Sequence, residues 1–289
     1  MSGFKYIEPK TLAALTELMQ EYGASAAMMA GGTDLINHIR IGKRSPEVVL
    51  QISKVAELTS AIEFREDGIF IGALATLTDI QTNALLLREY TALCEAAGKV
   101  GSRQIRNHAT MAGNICNASP AADTVPPLLL FDASVCIVGV NGERVLPVDA
   151  FITGPGRTAL SGGEVVAGVL IPRPENRFHS AYCKLSRRRG VDLSTVGAAV
   201  ALCGDGARIA LGAVAAKAFR AAEAEEILKS GIDKKNIEAA MAAVCKQASP
   251  ITDVRASADY RRAMAGAYSK KALEIAMRRR GGEGAEVNG

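Results

Sequence analysis

Two stretches of the chain carry residue types that suit a polar, phosphate-bearing ligand. The first is Met28-Met29-Ala30-Gly31-Gly32-Thr33-Asp34-Leu35, which reads as an apolar strand, a glycine pair and a helix start. Glycines let backbone N–H groups approach a phosphate, and a helix N-terminus adds unpaired donors and a partial positive charge. The Thr33 hydroxyl can add one bond. A strand–Gly-Gly–helix turn is also an ordinary chain reversal. This one has neither the lysine and spacing of a P-loop nor a G-x-G-x-x-G fingerprint. The second stretch, Thr110-Met111-Ala112-Gly113-Asn114-Ile115-Cys116-Asn117-Ala118-Ser119-Pro120-Ala121-Ala122-Asp123, mixes small residues, amides, hydroxyls and one carboxylate. Such a loop can wrap a polar ligand, with Asp123 as acceptor for ribityl or ribose hydroxyls. Asn and Asp capping their own loop is the competing explanation. Two phosphate-friendly loops in one chain point to a dinucleotide more firmly than either does alone.

What the sequence lacks narrows the chemistry. There is no nucleophile elbow, no H-E-x-x-H, and no Ser–His–Asp or Cys–His set with an evident logic. Hydrolysis or group transfer needs such groups. A redox cofactor brings its own chemistry and needs mainly binding and electrostatics. The six cysteines, Cys94, Cys116, Cys136, Cys183, Cys203 and Cys245, form no C-x-x-C and match neither a zinc nor an iron–sulfur spacing. Three dispersed histidines, His38, His108 and His179, make no metal cluster. A net charge of +4, no Trp and 4% aromatics argue against a nucleic-acid platform. The triplet Arg278-Arg279-Arg280 reads as a solvated helix end. No run of ~18 apolar residues is present, and Met1 to Lys10 lacks an apolar signal core. The expectation is a cytoplasmic protein.

The elements that must position these loops are legible in part. With 289 residues, 48% of them hydrophobic and 22% charged, the chain can build two modest domains. Thr11 caps a predicted helix with Leu12, Leu15, Leu18, Met19 and Tyr22 on one face, closed by Gly23. A strand over Ala26 to Ala30 leads into the glycine pair. A helix begins at Thr33 or Asp34, and a strand follows at Val48 to Ile52. Ile62 to Leu74 alternates around Glu66-Asp67-Gly68 as a hairpin. Helices are predicted at Asp79 to Leu87 and Tyr90 to Ala97, then an irregular but ordered stretch from Gly101 to Pro127. Strands resume at Val135 to Val140 and Val165 to Ile171, and Pro172 and Pro174 mark a domain boundary. Beyond it, Ala181 to Leu185, Thr195 to Leu202 and Arg208 to Val214 read as an antiparallel meander turning at Gly204-Asp205-Gly206. Three helices follow. The last, Ala258 to Arg280, carries a core stripe at Tyr260, Met264, Tyr268, Ala272 and Ile275. Gly281 to Gly289 reads as a frayed tail.

In this order and about eighty residues apart, the two loops resemble the FAD loops of the medium subunits of molybdenum hydroxylases of the xanthine dehydrogenase type. Ala30 to Leu35 matches that family's A-G-G-T-D-L in full. Thr110, Gly113, Asn114, Ile115, Ser119, Pro120 and Asp123 match its second loop, preceded by Gln104-Ile105-Arg106-Asn107. Thr153-Gly154-Pro155-Gly156, Glu164 ahead of the strand to Pro172, and Lys184 before Ser186-Arg187-Arg188 match as well. So do Asp253-Val254-Arg255-Ala256-Ser257 and Tyr260-Arg261 near the C-terminus. The resemblance covers about residues 4 to 280. Ala112 replaces the first glycine of the usual pair, Ala122 stands where Gly often precedes the Asp, and Ala215 to Arg220 replaces an A-P-T-P run.

The resemblance implies an α+β fold. A two-lobed FAD-binding domain of the PCMH/VAO-like type (1–174, lobes about 1–57 and 58–174) precedes a smaller α+β domain (175–280) of an antiparallel sheet and three helices. It implies non-covalent FAD held by Met28 to Leu35, Val100, Thr110 to Asn114, Asp123 and Val166, with Lys184 at the flavin ring. It also implies partners: a large molybdopterin-binding subunit that oxidises a heteroaromatic or aldehyde carbon, and a small subunit with two [2Fe–2S] clusters. Electrons then leave to an acceptor such as NAD. The complex's substrate stays open among purines, nicotinate, other N-heterocycles and a reductive aromatic dehydroxylation. A non-redox nucleotide-binding module and a stand-alone flavin reductase of related fold are the alternatives. A flavin spectrum separates the first, and co-purification with a molybdenum subunit the second.

Overall fold

A computed structural model describes residues 3–174, 177–188, 190–204 and 206–282. Asp205 of the expected last turn, Arg189 beside Arg187-Arg188, and 283–289 of the expected tail lie outside the described residues.

Local signals set up the first layer. Thr11 Oγ1 accepts the N–H of Ala14 and starts the helix Leu12–Tyr22, and Gly23 ends it at φ 50°. That helix covers a parallel three-stranded sheet ordered Lys5–Ile7, Val48–Gln51, Ala26–Met29. Leu15, Val48 and Leu50 are fully buried between them. The strand Lys5–Ile7 has no counterpart in the expectations, being three residues with no periodicity to read.

The central sheet is antiparallel, ordered Ile62–Arg65, Gly68–Gly72, Glu164–Pro172, Ser134–Gly139, Gly142–Pro147. A bulge between Val166 and Gly168 breaks the register of the long middle strand. Ahead of it, strand alternation points Val165 into the core beneath the first sheet and Val166 into the central core. Such a bulge bends a strand and re-aims its side chains. Gly168 is required here, because a Cβ would lie 2.4 Å from the Phe70 ring.

Two expectations fail in the helical layer on this sheet. The stretch expected as two helices is three, Leu77–Thr82, Ala84–Glu89 and Thr91–Gly98. Asn83 breaks the first: its backbone is extended, and its Oδ1 accepts the N–H groups of Leu85 and Leu86, which restarts the helix. The stretch expected as irregular holds the short helices Arg103–Arg106, Met111–Cys116 and Val125–Leu130. Ser102 and Thr110 cap the first two. Segments under two turns carry too few residues for an apolar period to show.

The C-terminal sheet is the expected meander of His179–Leu185, Val196–Cys203 and Gly206–Gly212, plus a short fourth strand Phe219–Arg220. Helices Ala222–Lys229, Lys234–Gln247 and Ala258–Arg280 pack on it. On the last helix the expected stripe is displaced. Tyr260 is 48% exposed, and the buried positions are Arg261, Ala265, Gly266, Ser269, Ala272, Leu273 and Ala276. Met264, Tyr268 and Ile275 only flank that core. Nor is Arg278-Arg279-Arg280 simply solvated, since Arg279 binds Glu95 and the Ser180 carbonyl and Arg280 binds the Gly204 carbonyl.

Gly266 allows close contact of the last two helices: a Cβ there would meet Cys245 Sγ at 2.7 Å and the Met241 carbonyl at 3.2 Å. Gly266→Val should therefore destabilise the protein by roughly 1–3 kcal/mol through overpacking. Chemical denaturation checks this, and an unchanged midpoint would show that the helices can separate freely.

Candidate functional site

The first loop leaves the strand Ala26–Met29 and passes against the second. At Gly31 the contact is so close that a Cβ would sit 1.7 Å from the His108 carbonyl oxygen. Gly31 therefore serves the approach of one loop to the other. Gly32 lies in the left-handed region at φ 71°, where glycine is favoured. The following helix, Leu35–Arg40, is only six residues long, and Asp34 makes no side-chain cap. Its dipole is correspondingly small. The donors themselves matter more: among the described residues the N–H groups of Gly32, Thr33 and Asp34 have no protein acceptor.

The second loop is held from both sides. The Leu77 N–H donates to the Ala109 carbonyl at 2.8 Å and the Met111 N–H to the Ala75 carbonyl at 3.3 Å. Thr110 Oγ1 accepts from Gly113 N–H, and Asn114 Oδ1 accepts the Thr124 hydroxyl. Arg106 Nη1 donates to the Val100 and Gly101 carbonyls and its Nε to Gln81, which explains the matched arginine ahead of the loop. The Gly156 N–H donates to the Ala118 carbonyl at 2.9 Å, tying in the Thr153 to Gly156 turn.

Between the loops runs a cleft of about 550 Å³, within the range of small-molecule sites. Met28, Met29, Ala30, Gly31, Gly32, Thr33, Asp34, Leu35, Val100, Thr110, Gly113, Asn114, Asp123 and Lys184 all line it. Ala112 and Val166 line an adjoining recess of about 480 Å³, which shares Met28, Ala30, Arg44, Thr110, Gly113 and Cys116 with the first. Met111 is the exception: its side chain is buried in the central core. Burial pushes the Cys116 thiol up to about 12, so it is a weak nucleophile.

One end of the cleft is closed by a buried cluster. Asp123 accepts the Tyr182 hydroxyl at 2.6 Å, the Ser194 hydroxyl at 2.5 Å and Lys184 Nζ at 2.8 Å. Lys184 also donates to the Lys99 carbonyl at 3.0 Å. The Asp123 and Lys184 side chains are 7% and 6% exposed. Burial, then the neighbouring Asp123 charge, raises the Tyr182 phenol far above its ordinary value, so it remains a donor. A carboxylate accepts about four hydrogen bonds, and three are already taken, so Asp123 can offer a ligand about one. Gly197, paired opposite Lys184 in the sheet, leaves room for this arrangement. A Cβ there would lie 2.5 Å from the Tyr182 hydroxyl.

Sequence reasoning missed Tyr182, Ser194 and Asp192. Asp192 lines the cleft with its side chain 7% exposed. Its Oδ2 has no hydrogen-bond partner among the described residues, since Arg187 and Arg188 lie at 3.6 and 3.8 Å. No local motif marks any of the three. The Asp253 motif is explained from further out. Buried Arg261 donates to the Thr195 and Ala213 carbonyls and to Asp253. Asp253 also holds Arg255, whose Nη1 donates to the Ser194 carbonyl. The Arg255 hydrogen bond holds the Asp253 carboxyl well below the usual carboxylate range.

Comparison with known proteins identifies the family. Residues 2–174 match the FAD binding domain in molybdopterin dehydrogenase, and residues 180–276 match the CO dehydrogenase flavoprotein C-terminal domain. The chain belongs to the FAD-binding medium subunits of the molybdenum hydroxylases. It is 32% identical to the xanthine dehydrogenase FAD-binding subunit of Escherichia coli O157:H7, over 96% of this chain and 97% of that one. It is 37% identical to the nicotinate dehydrogenase FAD-subunit of Eubacterium barkeri, over 72% of each. The carbon monoxide dehydrogenase structure from Hydrogenophaga pseudoflava superposes with a TM-score of 0.90 at 32% identity, covering 96% of this chain and 98% of that one. The α+β fold and FAD as the cofactor are those of the family, and this medium subunit is an oxidoreductase component. Among the described residues, no helix is long and apolar enough to cross a membrane.

Asp123→Ala would leave the Lys184 ammonium and the Tyr182 hydroxyl buried without their acceptor. Removing one partner of a buried pair costs about 3–5 kcal/mol, so Asp123→Ala should lower the thermal midpoint sharply. Gly197→Ala, which displaces the Tyr182 hydroxyl, should do so more mildly. Thermal melts of both decide it, and native-like stability in Asp123→Ala would mean that the cluster holds nothing together.

Proposed function

We propose that this chain binds FAD in the cleft and relays electrons through it, from the [2Fe–2S] clusters of a small partner subunit to an acceptor such as NAD. A large molybdopterin-binding partner would perform the substrate oxidation. The observation that carries this reading is the cleft itself: Gly32, Thr33 and Asp34 N–H groups at one wall that have no acceptor among the described residues, and a buried lysine at the other end. The donors suit a diphosphate, so the residues present fit the cofactor. Thr110, Gly113 and Asn114 would form the facing wall, with Met28 to Leu35 opposite and Val100 along the floor. Ala112 and Val166 would border the recess.

FAD takes up electrons singly and releases them in pairs. This chain's part is to bind, orient and bias. Lys184, fixed by Asp123 and the Lys99 carbonyl, sets a positive charge where a reduced ring gains negative charge. Asp123 balances that charge before reduction and keeps the ammonium from folding away. Five described cysteines are free and dispersed, and no three His, Cys, Asp or Glu side chains among the described residues converge as a metal site. Val191 and Leu193, exposed at the cleft, supply an apolar rim suited to a partner.

The relay is tested by affinity purification of the tagged chain from its native host. Molybdenum- and iron-bearing subunits should come with it in fixed ratio. A yellow chain that purifies alone and is rapidly oxidised and reduced without them would be a stand-alone reductase instead. Acid precipitation should release all of the flavin, in line with the raised Cys116 thiol, and colour retained on the pellet would count against non-covalent binding.

Two variants test the placement. Asn and Asp both tolerate the left-handed region, so Gly32→Asn and Gly32→Asp share the same strain and differ in charge. Gly32→Asp should fold without colour, while Gly32→Asn retains part of its FAD. Equal FAD in both would place the phosphates elsewhere. Lys184→Met should lower the FAD midpoint potential by on the order of a few tens of millivolts, because it leaves Asp123 negative and unbalanced. Adding Asp123→Asn should reverse most of that shift. A spectroelectrochemical titration that finds an unchanged or raised potential in Lys184→Met would remove Lys184 from the ring.

A further inference from the structure

We propose that Arg44 is the cation that neutralises the diphosphate of the bound dinucleotide. The proposal rests on the placement of FAD in the cleft argued above and adds a residue that the family motifs do not contain. Arg44 follows the helix Leu35–Arg40 on a turn wound back onto it: the N–H groups of Lys43 and Arg44 both donate to the His38 carbonyl, at 2.8 and 3.2 Å. Arg44 lines the main cleft and the adjoining recess, at the place where the two meet. An extended dinucleotide that occupies both passes this junction, and the Gly32, Thr33 and Asp34 N–H groups line the same cleft as Arg44.

Arg44 differs from the other cations of the cleft. Lys184 is committed to Asp123, and Arg188 lies 3.8 Å from Asp192. The Arg44 side chain has no hydrogen bond or ion pair with any described residue, so all its donors are available. The charge count points the same way. The lining carboxylates are Asp34, Asp123 and Asp192, and the lining cations besides Arg44 are Lys184 and Arg188. Without Arg44 the cleft is net negative by one, which opposes a dianion. With Arg44 it is neutral. The Gly32, Thr33 and Asp34 N–H groups supply hydrogen bonds but no net charge. A guanidinium supplies both, and its planar fork suits paired phosphate oxygens.

The test uses the full chain stripped of FAD and titrated with FAD, by quenching of flavin fluorescence, at low and moderate salt. Wild type, Arg44→Met, Arg44→Lys and Gly32→Asp are compared. The expected result is an FAD dissociation constant about tenfold weaker in Arg44→Met, a flatter salt dependence, partial recovery in Arg44→Lys and an unchanged thermal midpoint of the apoprotein. Unchanged affinity in Arg44→Met, with FAD still lost in Gly32→Asp, would overturn the role of Arg44 while leaving the cleft as the FAD site. Weaker affinity with an unaltered salt dependence would also overturn it, since that describes packing and not charge. Full FAD binding in both Arg44→Met and Gly32→Asp would remove the cleft assignment and this proposal together.

Discussion

Three donors from the C-terminal sheet and the loop behind it converge on one carboxylate of the central domain, and the rest of the site is arranged around that convergence. Asp123 draws in Tyr182, Lys184 and Ser194. Burying a carboxylate and an ammonium is costly, and the cost is offset only when the geometry is good and the remaining donors and acceptors are satisfied. Here they are. The second oxygen takes the ammonium, the first takes two hydroxyls, and the ammonium has a further carbonyl acceptor at Lys99. Each supporting feature has a place in that scheme. Gly197 makes room for the phenol, and Arg255 holds the backbone of Ser194. Arg261, buried and anchored to Asp253, holds Arg255 in turn through their common carboxylate.

The same interaction reinforces a joint that is already packed, since Ala199, Ala201, Ala210 and Ala218 also belong to the central core. The central core and the C-terminal core are distinct clusters. Tyr182 belongs to the central one although its strand belongs to the C-terminal sheet. Edge contacts reinforce the joint: Glu95 accepts the Tyr182 N–H, Ser180 Oγ accepts the Ala92 N–H, and Arg279 closes onto Glu95. The cleft is therefore bounded at one end by a densely hydrogen-bonded network. At the other it is bounded by a loop whose N–H groups await an acceptor. That asymmetry suits a cofactor whose phosphates anchor it and whose ring must meet a fixed electrostatic field.

How far the sequence could be read varied by element, for physical reasons. The helix Leu12–Tyr22 was legible because its cap, its apolar period and its terminal glycine agree. The meander was legible because its short apolar runs end in turn residues. The last helix was legible as a helix but not in its orientation. The positions it buries include Arg261, Gly266 and Ser269, chosen for hydrogen bonding and close approach. Hydrophobicity alone therefore points to a neighbouring face. The stretch 101–130 hid its helices because each is shorter than two turns and depends on a Ser or Thr cap or on tertiary support.

What the sequence determined by itself was the composition of the two loops, the order in which they occur and the family to which those motifs belong. These are contiguous patterns, and contiguous residues carry their own conformational preferences. Three-dimensional packing decided what each motif residue is for. Gly31 serves the contact with His108 and Asp123 is largely occupied by protein donors, while Arg44, outside the motifs, reaches the junction of cleft and recess. The donors to Asp123 lie 59, 61 and 71 residues further along the chain. No local propensity encodes a bond over such a separation. It exists only once two independently formed layers have packed and excluded the water that would otherwise satisfy the same groups.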